Sequence, residues 1–304
     1  MIRRALFAST LLFLAHGEAA LAIDAQAGFS KRSAVLEFAQ NCELLGSSQL
    51  LAVRAGKLQA KGALLRAGFS TGELQKMERI AKLSVAAVDC GNAEALAEID
   101  LVKASHDNWL TLSSLAYPAT HRTWTTSRNL DLLKRRWRAM QVLDSKENSL
   151  VRFGASSLQG RPSLDLLIEN QSPPRSVLLR MRDPDQLENP PSPFLRKLLK
   201  LPIDGVAGLA PPTTATQSFF AANRVVAETS LLSAETGVRG TRFGFANDAL
   251  EAFSQLDPRE AVILDMYWSA GLGKPDRHKR LYVEVGDFLA ARIFAEAKDK
   301  VLEQ

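Results

Sequence analysis

Beyond residue 22 the chain has three histidines, His106, His121 and His278, and their neighbours are where acid–base or nucleophilic chemistry could sit. His106 is followed directly by Asp107, and Ser113 and Ser114 lie between this pair and His121. A serine, an imidazole and a carboxylate can form a catalytic set in any chain order, so His106, Asp107 and His121 make up the candidate site. The three histidines lack metal-ligand spacing. His-Glu-x-x-His and the Ser-x-x-Lys of envelope acyl enzymes are absent from the sequence; Gly68-Phe69-Ser70-Thr71-Gly72 has the letters of Gly-x-Ser-x-Gly, but its Ser70 reads with Glu73 as a helix capping box. Gly271-Leu272-Gly273-Lys274 is no phosphate loop: Trp268 stands where the upstream glycine belongs, and Pro275 where a magnesium-binding Ser or Thr belongs. Neither a cofactor nor a metal is implied. The acid pairs Asp257 with Glu260 and Glu284 with Asp287 read as helix caps and strand edges.

Two cysteines, Cys42 and Cys90, are the other reactive side chains. Their meaning depends on compartment. Met1 to Ala22 has the layout of a secretory signal: Arg3 and Arg4 lead, an apolar stretch runs from Ala5 to Ala15, and Ala20-Leu21-Ala22 forms a small-x-small end before Ile23. The apolar stretch falls well short of the ~20 residues that span a bilayer. Residues 1–22 therefore read as a signal peptide cut between Ala22 and Ile23. The mature chain reads as periplasmic or secreted, without a transmembrane helix. In an oxidising compartment Cys42 and Cys90 read as a disulfide, and their wide separation suits a staple rather than a redox pair.

Charge narrows the partners further. Removing Arg3, Arg4 and Glu18 with the signal lowers the formal charge from +5 to +4. The bases are interleaved with acids, whereas nucleic-acid binding wants a concentrated basic face. The densest basic run, Lys134-Arg135-Arg136-Trp137-Arg138, could stack on bases or carbohydrate but reads first as a solvated entry into a strand.

These residues must be positioned by a chain of two characters. From Phe29 to about Leu112 the periodicity is helical. Val35, Phe38, Ala39, Cys42 and Leu45 share one face of a first helix. Leu51, Ala55, Leu58, Gly62 and Leu65 stripe a second. Ser70 and Glu73 form a capping box for a third, striped by Leu74, Met77, Ala81, Ser84 and Val88, and Ala93 to about Leu112 supplies a fourth. The disulfide would tie the first helix to the end of the third. From Tyr117 onward strand signals dominate. Runs at 151–155, 164–168 and 177–181 alternate like a three-strand antiparallel meander with one wet face. Strands are also expected at 137–143, 218–229, 240–245, 261–268 and 281–285, with the 271–280 segment as a loop. Helices are expected from Asp248 to Leu256 and from Asp287 to about Val301.

Nine of the thirteen prolines fall between Ser172 and Pro212. Within that segment Phe194, Leu195, Leu198 and Leu199 should dock on the sheet while Arg196, Lys197 and Lys200 face water.

The fold class is α+β: a disulfide-tied helical N-terminal region, residues 23–116, and a mostly antiparallel β region with two helices, residues 117–304, carrying a Pro-rich segment at 172–212. The function expected is that of a non-enzymatic binding or accessory protein of the envelope, whose partner is an envelope protein or a small ligand. The alternative is a periplasmic hydrolase of carbohydrate or peptide whose catalytic residues the sequence does not display.

Overall fold

Cys42 and Cys90 are bonded across 48 residues, and the helices near them follow the apolar stripes of the sequence in part: Leu51 of the second stripe and Ser84 of the third are exposed, and the third helix ends at Leu83, before Val88. The computed structural model describes residues 17–129, 136–146, 149–157, 161–232, 238–269, 271 and 275–297. Outside them lie residues 1–16 of the expected signal, Lys134 and Arg135 of the basic run, 272–274 of the rejected phosphate loop, and the tail of the expected last helix. The chain divides into two units, Met1–Val102 and Lys103–Gln304.

In the first unit, helices α1 (Gly17–Asn41), α2 (Ser47–Arg66) and α3 (Thr71–Leu83) are followed by the first half of α4 (Ala93–Thr111). Val35, Phe38, Ala39 and Leu45 are buried together with Val53 and Ile99, and Cys42, Val85 and Val88 pack against them. Phe29, Ala60, Leu64, Leu65 and Leu74 form a second cluster. The capping box of α3 is present: Ser70 Oγ accepts from the Glu73 backbone N–H, and the Glu73 carboxylate accepts from that of Ser70. The disulfide fixes the α3–α4 connection to the residue that follows α1.

The second unit starts inside α4 and is built from eleven strands and three helices among the described residues. The strands are β1 (Ser114–Pro118), β2 (Thr123–Arg128), β3 (Trp137–Lys146), β4 (Ser149–Ser157), β5 (Pro162–Glu169), β6 (Ser176–Arg182), β7 (Thr216–Phe220), β8 (Asn223–Val226), β9 (Gly240–Phe245), β10 (Ala261–Trp268) and β11 (Arg277–Glu284). The helices are α5 (Pro193–Leu198), α6 (Asn247–Ser254) and α7 (Phe288–Glu296). One sheet has the order β1-β2-β3-β4-β5-β9-β8, the other β11-β10-β6-β7, and every described pairing is antiparallel.

The three-strand meander is corrected. β4 and β5 pair as a hairpin, but β6 leaves for the second sheet between β10 and β7, and β9 takes its place beside β5. The run expected as one strand from Ser218 likewise splits into β7 and β8, in different sheets. The wet face is corrected too, because β5 is buried on both sides. On one side α6 and α7 bring Phe253 and Phe288 against Phe153 and Trp124. On the other, Ala227, Leu231 and Leu232 cover Met140 and Leu167.

Buried charge ties these layers together. Arg128 donates to the carbonyls of Trp109, Leu110 and Leu112 at the end of α4 and to Phe294 in α7, where helix carbonyls lack intrahelical partners. The Glu284 carboxylate accepts the backbone N–H groups of Thr120, His121 and Arg122 in the β1–β2 turn. The side chain of Gln141 on β3 bonds both the N–H and the carbonyl of Glu284. Just beyond, Gly286 has φ +47, and a Cβ there would collide with Ala119; only glycine suits both conditions.

Candidate binding site on the second sheet

Of the residues expected to do chemistry, the structure brings His106 beside Asp107 and closes it in. The His106 ring is 3% exposed, with Nδ1 3.8 Å from Asp107 and its ring tilted against Trp109. The His121 ring is exposed, and the part of His121 that is used is its backbone N–H, on Glu284. One imidazole is shut off from solvent and the other lies in it. Ser113 and Ser114 are exposed. Among the described residues, no group of three or more His, Cys, Asp or Glu side chains could hold a metal ion.

The basic run has a structural role where it is described. Trp137 is buried. Arg138 bonds Ser127 Oγ and the carbonyls of Ser230 and Leu232, while Arg136 pairs with Glu228 at 3.5 Å. Together with Arg152, which bonds the Leu231 carbonyl, Arg138 pins the apolar cover of Leu231 and Leu232 to the first sheet.

The densest polar chemistry lies on the second sheet, around Asp265. In register, Asp265 of β10 stands opposite Arg280 of β11, and Tyr267 opposite His278. On the other side of β10, Leu178 of β6 stands opposite Asp265, and Arg180 opposite Ile263. Side chains alternate along a strand, so Arg180, Asp265, Tyr267, His278 and Arg280 share one face. The Asp265 side chain is wholly buried beneath its partners. Arg280 gives it two bonds, from Nε at 2.7 Å and Nη2 at 3.2 Å. His278 Nε2 lies 2.8 Å away, and Arg180 Nε 3.3 Å.

Burial pushes the Asp265 carboxyl up, but Arg280, His278 and Arg180 outweigh it and hold the group below the ordinary carboxylate range. Two guanidinium charges thus share one carboxylate, leaving the face positive. These cations are held by a fully buried anchor but remain partly in solvent: the side chains of Arg180, Arg280 and His278 are 23%, 35% and 40% exposed. Tyr267 stacks on His278 with ring centroids 4.8 Å apart and planes 23° from parallel, which adds a flat aromatic surface beside the charges. At the hairpin end of the same strands Arg277 lies over the Trp268 ring at 4.7 Å. By alternation that pair points to the opposite side.

This face was missed in the sequence because residues 271–280 were expected to be a loop. β11 starts earlier, at Arg277. The signal was present: His278, Arg280 and Tyr282 alternate with Lys279, Leu281 and Val283, so the period of two extends further back than Leu281. What the sequence could not supply was the pairing that sets His278 and Arg280 across from Tyr267 and Asp265.

Among the described residues, no helix is long and apolar enough to cross a membrane. Comparison of the chain with protein-family models, with curated proteins and with solved structures finds no match.

Proposed function

We propose that this chain is an exported, non-enzymatic binding protein of the periplasm or cell exterior. Its ligand site is the face formed by Arg180, Asp265, Tyr267, His278 and Arg280. The observation that carries the reading is the sharing of one buried carboxylate by two arginines and a histidine that stay partly exposed. Such a cluster is preorganised and carries excess positive charge. Guanidinium groups pair well with carboxylate or phosphate, and a flat aromatic ring suits the apolar face of a sugar. An acidic saccharide combines both features.

The test is calorimetric titration of the mature protein with an oligogalacturonate and with a neutral maltooligosaccharide of equal length. The acidic ligand should bind, more weakly as salt rises, and Arg280→Gln should weaken it roughly tenfold, the loss of one charge-assisted contact. Equal binding of the neutral sugar, or no binding of either, would sink this reading.

The hydrolase reading keeps one observation in its favour, since Asp265 orients His278 as a carboxylate orients a catalytic imidazole. Against it, the same carboxylate is held by two guanidiniums, and Tyr267 stacks on the imidazole. Release of reducing ends during the titration, abolished by His278→Ala, would decide for the hydrolase.

A further inference from the structure

The short helix α5 sits in the Pro-rich segment with its polarity reversed. Arg196 was expected in water but is buried, donating to the carbonyls of Pro202 and Ala210. Burial pushes its guanidinium down from the usual range, against an opposing pull from Glu260. Of the apolar side chains expected to dock, Leu195 is half-buried, but Phe194 is 77% exposed, Leu198 65%, and Leu199 is exposed as well, as is Ile203 beyond the helix.

Both ends of the helix are capped. Ser192 caps its start by accepting from the Leu195 N–H, and Pro193 occupies its first position. At its end Lys200 adopts φ +53, and the N–H groups of Lys200 and Leu201 return to the carbonyls of Lys197 and Arg196, closing a Schellman turn. With Arg196 buried, Phe194 and Leu198, one helical turn apart, face outward. Lys197 and Lys200 are exposed in the same short stretch. The acid nearest in sequence is Asp204, also exposed, just beyond Ile203.

We infer that Phe194, Leu198, Leu199 and Ile203, flanked by Lys197 and Lys200, form an anchor that inserts into an anionic lipid surface. Exposed apolar patches mark interaction sites. The flanking charge favours lipid over protein. The charges beside them are lysines, which suit anionic headgroups as interfacial apolar side chains enter the acyl boundary. The anchor is independent of the ligand site, so failure of either leaves the other standing.

The test is co-sedimentation of the mature protein with vesicles of phosphatidylcholine alone and with added phosphatidylglycerol. Binding should require phosphatidylglycerol and weaken as salt rises. Phe194→Ser with Leu198→Ser should reduce it roughly tenfold or more, and Lys197→Glu with Lys200→Glu by a similar factor. All four residues are exposed, so an unchanged melting curve should confirm that each variant is folded. No binding to either vesicle, or binding that ignores the Phe194 and Leu198 substitutions, would overturn the proposal. So would concentration-dependent self-association, seen by sedimentation and abolished by the same substitutions, because that assigns the patch to a second copy of the chain.

Discussion

At the scale of single residues, the second unit relies on charges buried against specific partners, and Asp265 is the one with consequences for pH. Its pKa is depressed in the folded protein, so its contribution to stability is fully present above the ordinary Asp value of ~3.9 and is lost as pH falls through the folded value. Asp265→Asn should destabilise the protein by about 2–4 kcal/mol near neutrality. That is less than for a fully dry pair, because Arg280 and His278 are partly solvated. The deficit relative to the parent chain should shrink as pH falls below about 4. Chemical denaturation of both proteins across that range checks this, and a deficit constant with pH would refute it. Glu284 shows why such residues are hard to read from sequence. Paired with Asp287 it looked like a strand edge, yet it gathers three consecutive N–H groups of a turn more than 160 residues away.

At the scale of elements, the helices were largely legible and the strand partners were not. Helical periodicity put Val35, Phe38 and Ala39 on one stripe, and that stripe is buried in α1, because neighbours on a helix are set by local geometry alone; Cys42 and Leu45, expected on the same face, lie just past the end of α1 and still pack on the same cluster. The capping box at Ser70 is equally local. The disulfide joins the residue after α1 to the α3–α4 connection across a 48-residue loop, which predicts roughly 3–4 kcal/mol of stabilisation from the constrained unfolded chain. Replacing both cysteines with Ser should cost that amount, read as a lower midpoint in urea for the helical circular-dichroism signal. Insensitivity of the parent protein to reductant would contradict it. Strands behave otherwise. The alternation at 177–181 identified a strand correctly but not its sheet, since β6 pairs with β10 and β7 rather than with β5. The α5 segment inverted for a related reason: its best local amphipathic reading puts Arg196 outside, and only the carbonyls of Pro202 and Ala210, brought round by the chain, make the buried position favourable.

At the scale of the whole molecule, the α+β class and the order of helical and β regions follow from composition and period. The division between units falls at Val102/Lys103, inside α4. The second half of that helix belongs with the sheets because Trp109 packs on Phe294 of α7 and its last carbonyls are held by Arg128. Export remains our proposal from the first 22 residues. Mass spectrometry of protein recovered from the periplasm or medium should find Ile23 at the N-terminus, and recovery only of an uncut Met1 chain in the cytoplasm would reject it.

The sequence by itself determined what depends on near neighbours along the chain: most of the helices and much of the buried stripes of α1 to α3, the existence of most strands, and the α+β class. Tertiary structure alone decided which strands share a sheet, which way α5 faces, and that His278, rather than His106 or His121, stands against a carboxylate in reach of solvent. Strand pairing and buried ion pairs join residues far apart in the chain, and no local period records which distant partner each will meet.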